Sequence, residues 1–309
     1  MQSLLVLSDA VRAALAGNRP VVALESTIVA HGFPRPRNLQ LAFEFEQVLV
    51  DRGVVPATIA VIDGVPRIGL SEAELTRLAQ DEDVAKASTR DLPVAVALER
   101  TAATTVAATS HLAAAAGLRV FATGGLGGVH RDVLESMDES ADIAAVARAR
   151  LTVVAAGVKS ILDIGRTLER LETWGVTVVG YRTSRFPAFW LTDSGAELDW
   201  TVDTPDQVAE IMRSSDQLGR HGGIVVANPV PVNEQLDPAL HDRVLEDGLA
   251  EARRRGVAGK AVTPFLLDFV QQATGGASIE VNIALAKHNI ALAAEIATAW
   301  TRITARAGR

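Results

Sequence analysis

The chain has 309 residues, with 37 acidic against 30 basic side chains for a net charge of −7, and no cysteine. Hydrophobic residues make up 48 % and aromatic ones only 4 %, so a large aliphatic core is available and wholesale disorder is excluded. The acidic balance argues against broad nucleic-acid binding, and the missing thiols remove disulfides, thiolate catalysis and cysteine-ligated metals. The segment MQSLLVLSDAVRAALAGNRP (1–20) brings Leu4, Leu7, Val11 and Leu15 to helical spacing with no basic leader region. It predicts an amphipathic helix and not a signal peptide. No apolar run reaches the ~20 residues of a membrane span. A soluble, cytoplasmic protein is the default expectation.

PVVALEST (20–27) reads as a strand, and NLQLAFEFEQVLVDRG (38–53) as a helix stopped by Gly53. TIAVIDGVPRIGL (58–70) folds around Asp63-Gly64 as a hairpin. SEAELTRLAQ (71–80) opens with a capping box from Ser71 and Glu74. TTVAATSHLAAAAG (104–117) is helical, and RVFATGG (119–125) is a strand entering a glycine turn. LTVVAAG (151–157) is another strand; Ile161, Ile164, Leu168 and Leu171 mark a helix ending near Gly175, and VTVVGYR (176–182) follows as a parallel strand. Residues 183–204 predict a surface loop or lid. GGIVVANPVPV (222–232) is a strand running into a proline turn, and helices over 236–256 and 279–304 close the chain. With no repeat or linker, the alternation predicts one α/β domain over 1–309.

In parallel α/β sheets ligands bind at the carboxyl ends of strands. Lys159 stands at such an end in VVAAGVKSILDIG (153–165), where a helix is expected to begin. Desolvation and the helix dipole there favour a neutral amine, a nucleophile for a sugar or aldehyde carbon. The bland alternative is a surface lysine whose stem covers apolar neighbours. Glu25 likewise ends an apolar strand in ALESTIVAHGFPRPRN (23–38), ahead of Ser26, Thr27 and His31. It is either an acid working near neutrality or a loop carboxylate paired with Arg35 or Arg37. FATGGLGGVHR (121–131) fits neither the dinucleotide nor the P-loop spacing, and reads as an anion-binding or merely tight turn. TGGAS (274–278) is a second such turn, ahead of Asn282. In MDESAD (137–142), Asp138 and Asp142 stand at i, i+4, either a hard-cation pair or ordinary complements to a helix dipole. Lys86 and Arg90 in VAKASTRDLP (84–93) are phosphate contacts or a solvated turn. A lone histidine such as His130 is commonly a packed residue.

ALESTIVAHGFPRP, GVVPATIAVIDGVPRIGL, KASTRDLP, FATGGLGGVHR, AAGVKSILDIGRTLERLETWGV, FPAFW, ANPVP and GKAVTPFLLDFV…TGGASIEVNIAL occur in that order. Together, over about residues 20–300, they resemble the pseudouridine-5'-phosphate glycosidase family, also called indigoidine synthase A-like. The resemblance implies a three-layer α/β/α fold with a central, mostly parallel mixed sheet, assembled as a homotrimer. It implies reversible cleavage of pseudouridine 5'-phosphate to uracil and ribose 5-phosphate, with Mn²⁺ or another divalent cation. By motif, Lys159 matches the Schiff-base nucleophile, Glu25 the proton donor and Asp138 the metal-binding aspartate. Lys86, Val106, Ser140, Ala141 and Asp142 match substrate-binding positions, and Thr123, His130 and Asn282 lie in motifs that line the site. One departure, Ala155 where relatives can carry cysteine, leaves the chemistry untouched. The competing readings are a PfkB-like ribose or nucleoside kinase and a non-catalytic sugar-phosphate-binding protein. The first lacks a glycine-flanked aspartate in TGGASIEVN; the second gives Lys159 and Glu25 no task.

Overall fold

The computed structural model describes residues 4–257 and 262–307, so the first three residues of the GKAVTPF motif lie outside the described residues. The chain opens with β1 (Val6–Leu7) and α1 (Asp9–Ala16). The Ser8 hydroxyl accepts the Val11 amide and caps α1, so the expected amphipathic helix starts only at Asp9 and leaves Leu4 and Leu7 outside it. There follow β2 (Val21–Leu24), α2 (Thr27–His31), α3 (Arg37–Val50), and the hairpin of β3 (Val55–Ile62) and β4 (Val65–Ile68). Next come α4 (Glu72–Gln80), whose Ser71/Glu74 capping box forms as expected, β5 (Ala85–Ala87), α5 (Leu92–Ala97), β6 (Ala102–Thr104) and α6 (Val106–Ala115). The middle of the chain holds β7 (Val120–Ala122), α7 (Val133–Ser136), α8 (Ala141–Arg148), β8 (Thr152–Ala155), α9 (Ile164–Thr173) and β9 (Thr177–Tyr181). It closes with β10 (Thr201–Val202), α10 (Pro205–Gln217), β11 (Ile224–Ala227), α11 (Pro238–Arg254), α12 (Val262–Ala273) and α13 (Ala277–Ala307).

Among the described residues, 11 strands form one sheet in the order β1-β4-β3-β2-β7-β8-β11-β9-β10, with β6 branching from β3 and β5 pairing β6. Only the β3–β4 and β3–β6 pairs are antiparallel. The central strands VVAL, TVVA and IVVA are buried at every position, as a sheet covered on both faces requires. Helices α3, α10 and α13 pack together on one face, and α6 packs on α8 on the other, giving the α/β/α layers.

The strands β8 and β9 are parallel, as expected, and β11 lies between them, pairing Val225 with both Val153 and Val178. Residues 183–204 do run largely as a surface loop, but not as a free lid, for Phe186, Ala188, Phe189 and Trp190 in its middle are all buried. The apolar run FPAFW anchors the loop in the core, and its backbone bonds Phe189 N to the Ala156 carbonyl (2.9 Å).

Candidate active site

The parallel strands β2, β7 and β8 end at one place, and the antiparallel β6 ends there from the opposite direction. Buried Ser26 stitches this junction: its hydroxyl donates to the Ile59 carbonyl (2.6 Å) and accepts the Thr104 amide (2.8 Å). Glu25 follows β2 directly. Thr27 donates to one of its carboxylate oxygens and Thr123, which follows β7, donates to the other. Two hydroxyls therefore fix the orientation of a half-buried carboxylate.

Lys159 is the fourth residue beyond β8. Its loop is set by Gly157, at φ 76°, where a Cβ would collide with the Pro187 carbonyl oxygen. Leu126 grips the loop on both sides, donating to the Gly157 carbonyl (2.9 Å) and accepting the Lys159 amide (3.1 Å). No helix starts at Lys159; α9 begins five residues later behind its Asp163 cap, so the expected helix-dipole effect on this lysine has no structural basis.

Glu25, Lys159 and Lys86 line both lobes of a shared cleft. The inner lobe, about 110 Å³, is walled by Phe33, Phe189 and Leu285 and carries His31 and Asn282. The Asn282 side-chain oxygen is buried with no hydrogen-bond partner. The outer lobe, about 530 Å³, is polar. It collects Val106, His130, Asp138, Ser140, Ala141 and Asp142, with exposed Arg90 at its rim. Helices α6 and α8 both start there, behind caps from Thr105 and Ser140, so the positive ends of two helix dipoles face the lobe.

The sequence-predicted residues thus come together, with two differences of role. Thr123 lines neither lobe and acts on Glu25 from behind. Asp138 and Asp142 share no helix face, because α8 begins only at Ala141. Both oxygens of buried Asp142 are committed to backbone amides, Ala107 (2.9 Å) and Gly127 (2.8 Å), which ties α6 to the glycine turn. Glycine is required at 127, since a Cβ there would strike the Ser140 and Asp142 side chains. Asp138 keeps its carboxylate beside His130 Nε2 (3.7 Å). Among the described residues no group of three or more His, Cys, Asp or Glu side chains is arranged to hold a metal. A single free carboxylate fits a largely hydrated hard cation completed by water and substrate oxygens, and does not fit an all-protein cage.

Burial, and then the charge of Lys159, pushes Lys86 below the ordinary lysine value, against the pull of Glu25 and Asp142. Burial, and then Lys86, likewise lowers His31. Sequence reading missed Asn289. This fully buried side chain of α13 donates to the carbonyls of Thr123 (2.8 Å) and Gly124 (3.2 Å), and so holds the turn behind Glu25. Its only local signal was a polar residue on the apolar face of KHNIALAA.

A lysine and a fixed carboxylate lining one cleft at the parallel strand ends, beside a polar lobe of mixed charge, define an α/β protein with an enclosed small-molecule site. The chain belongs to the indigoidine synthase A-like family: residues 10–299 match the family described as "Indigoidine synthase A like protein". A Frankia alni protein named pseudouridine-5'-phosphate glycosidase is 60 % identical over 299 residues, covering 97 % of this chain and 83 % of its own length. A protein of the same name from Salinispora tropica is 63 % identical over 287 residues, 93 % and 89 % of the two chains. The crystal structure of the prealnumycin C-glycosynthase AlnA in complex with ribulose 5-phosphate superposes with a TM-score of 0.92 at 33 % identity, covering 99 % of this chain and 100 % of that one.

Proposed function

We propose that this cleft reversibly cleaves the C-glycosidic bond of pseudouridine 5'-phosphate, giving uracil and ribose 5-phosphate through a Schiff base on Lys159. The observation that carries this reading is the placement of Glu25 and Lys159 at the junction of the two lobes. The ribose sits at that junction. Its phosphate lies in the outer lobe against Lys86, Arg90 and the starts of α6 and α8. The uracil enters the inner lobe, where Phe189 covers a ring face and the Asn282 oxygen accepts from a ring N–H. The names of the relatives support the glycosidase activity, and the sugar phosphate in the AlnA complex supports the ligand class.

In the reaction Glu25 gives a proton to the ring oxygen as the C1'–O bond breaks, and the Lys159 amine bonds to C1'. The bonded amine, now an ammonium, returns a proton to Glu25, and that proton then reaches uracil C5 directly or through nearby water. The C1'–C5 electron pair restores the uracil double bond, leaving an iminium on Lys159, which water hydrolyses. An amine is needed because it carries the positive charge at C1' when that bond breaks; a guanidinium cannot. Phosphate binding, remote from C1', supplies positioning. A divalent cation, Mn²⁺ or another, would be held by Asp138 with His130 beside it and would supply positive charge to phosphate or sugar oxygens. The homotrimer belongs to the same proposal and is checked by light scattering.

Incubation with pseudouridine 5'-phosphate is expected to release uracil and ribose 5-phosphate in equal amounts without ATP. No uracil, or ATP consumed with ribose or a nucleoside, would overturn the reading.

A further inference from the structure

Directly after Lys159, buried Ser160 meets a histidine from a distant helix. Its hydroxyl lies 2.8 Å from His241 Nε2, and His241 Nδ1 lies 2.9 Å from an Asp242 oxygen. The order Ser-His-Asp is that of a hydrolytic triad, but Ser160 is 2 % exposed and lines neither lobe, so no substrate carbonyl can reach it. The trio has another use. A carboxylate only accepts, so Nδ1 donates to Asp242, and Nε2 is left to pair with the Ser160 hydroxyl. The pair thereby bolts the Lys159 loop to the first turns of α11.

The surroundings make that bolt stiff. His241 is 5 % exposed and its ring stands edge-on to Trp190 at 6.2 Å. Trp190 in turn packs against Phe189, which walls the inner lobe. From the other side Arg131 donates to the carbonyls of Ser160 (2.9 Å) and Ile161 (3.2 Å). Helix α11 packs along α12, and α12 contributes Thr263 to both lobes. One buried hydrogen bond therefore joins the lysine loop to the helix pair that forms the opposite wall.

We propose that His241, acting through Ser160, is a positioning residue that holds the Lys159 amine at its attacking distance from the sugar. This rests on the Schiff-base reading above, because only covalent attack makes the amine's placement, and not merely its charge, decisive. A misplaced nucleophile loses rate while the phosphate still anchors the substrate. Ser160→Ala removes the hydroxyl, and His241→Phe keeps the ring against Trp190 but removes Nε2. Each is expected to lower kcat for uracil release roughly 10-fold or more with KM within about twofold. The double variant should equal the singles, because the two groups act as one unit. His241→Gln, which keeps an acceptor, should recover part of the loss. Amide exchange at Lys159 and Leu162 should quicken in both single variants.

Unchanged kcat in both singles, losses that multiply in the double variant, or unchanged exchange at both amides would overturn the proposal. Should the unaltered protein release no uracil, the functional reading falls on its own, and amide exchange still decides whether the bolt exists.

Discussion

Glu25 shows how much of the chemistry rests on single hydrogen bonds. With Thr27 on one oxygen and Thr123 on the other, its carboxyl cannot swing away from the lobe junction. Glu25→Gln keeps the shape and removes the proton to be given. It is expected to slow uracil release by about 10²–10⁴-fold, with substrate affinity, read by calorimetry, nearly unchanged. A large loss of affinity with normal turnover would assign Glu25 to binding alone. Glu25 and Lys159 stood out in the sequence as charged residues at or just beyond an apolar strand, and the family resemblance supplied the roles that this pattern alone left open. Asn289 and the task of Thr123 were not legible there, because their partners lie 166 and 98 residues away in the chain. Local pattern carries no information about such contacts.

At the scale of elements, α3 holds a carboxyl group the reaction does not use. Glu46 is half-buried against β3, and burial pushes it above the ordinary carboxyl value, against the hydrogen bond from Thr58 (2.5 Å). A raised folded-state value means the folded protein keeps a proton that the unfolded chain releases. Stability is therefore lost as pH climbs from the ordinary glutamate range through the folded value. Glu46→Gln should raise Tm relative to the unaltered chain at neutral pH, and the gap should close below the ordinary glutamate value of 4.5. A gap of constant size from acid to neutral pH would contradict this. Elements were readable where a cap or turn residue marks them, as in the Ser71 capping box and the Asp63-Gly64 hairpin. The same logic misplaced the first helix, since Leu4 and Leu7 continue the apolar spacing past the Ser8 cap. Strand order was not readable at all: nothing local in IVVA (224–227) says it will enter between β8 and β9.

The whole molecule is closed by contacts between distant segments. Asp216 on α10 binds Arg119 beside β7 (2.9 Å) and Arg150 before β8 (2.7 Å), and Arg119 lies over the Trp300 ring of α13 at 4.4 Å. Burial opposes the charge on Asp216, yet hydrogen bonds from Arg150 and Arg119 hold its carboxyl below the usual value. A depressed folded value gives stability that is present above the unfolded value of 3.8 and lost as pH falls through the folded one. Asp216→Asn leaves Arg119 half-paired under cover and should cost about 1–3 kcal/mol in denaturant melts at neutral pH, with kcat unchanged. No loss at neutral pH would show that the cluster does not hold the layers together. The same closure presses α13 onto β2, β7 and β8 and so brings Asn289 to the turn behind Glu25. Among the described residues no helix is long and apolar enough to cross a membrane.

The central claim is that one particular amine, on Lys159, bonds to the sugar. Borohydride reduction of the protein with ribose 5-phosphate, followed by peptide mapping, tests it directly. The account predicts a reduced ribityl phosphate adduct on the peptide carrying Lys159 and none in Lys159→Met. An adduct on Lys86 instead, or an unmodified protein during active turnover, would contradict it.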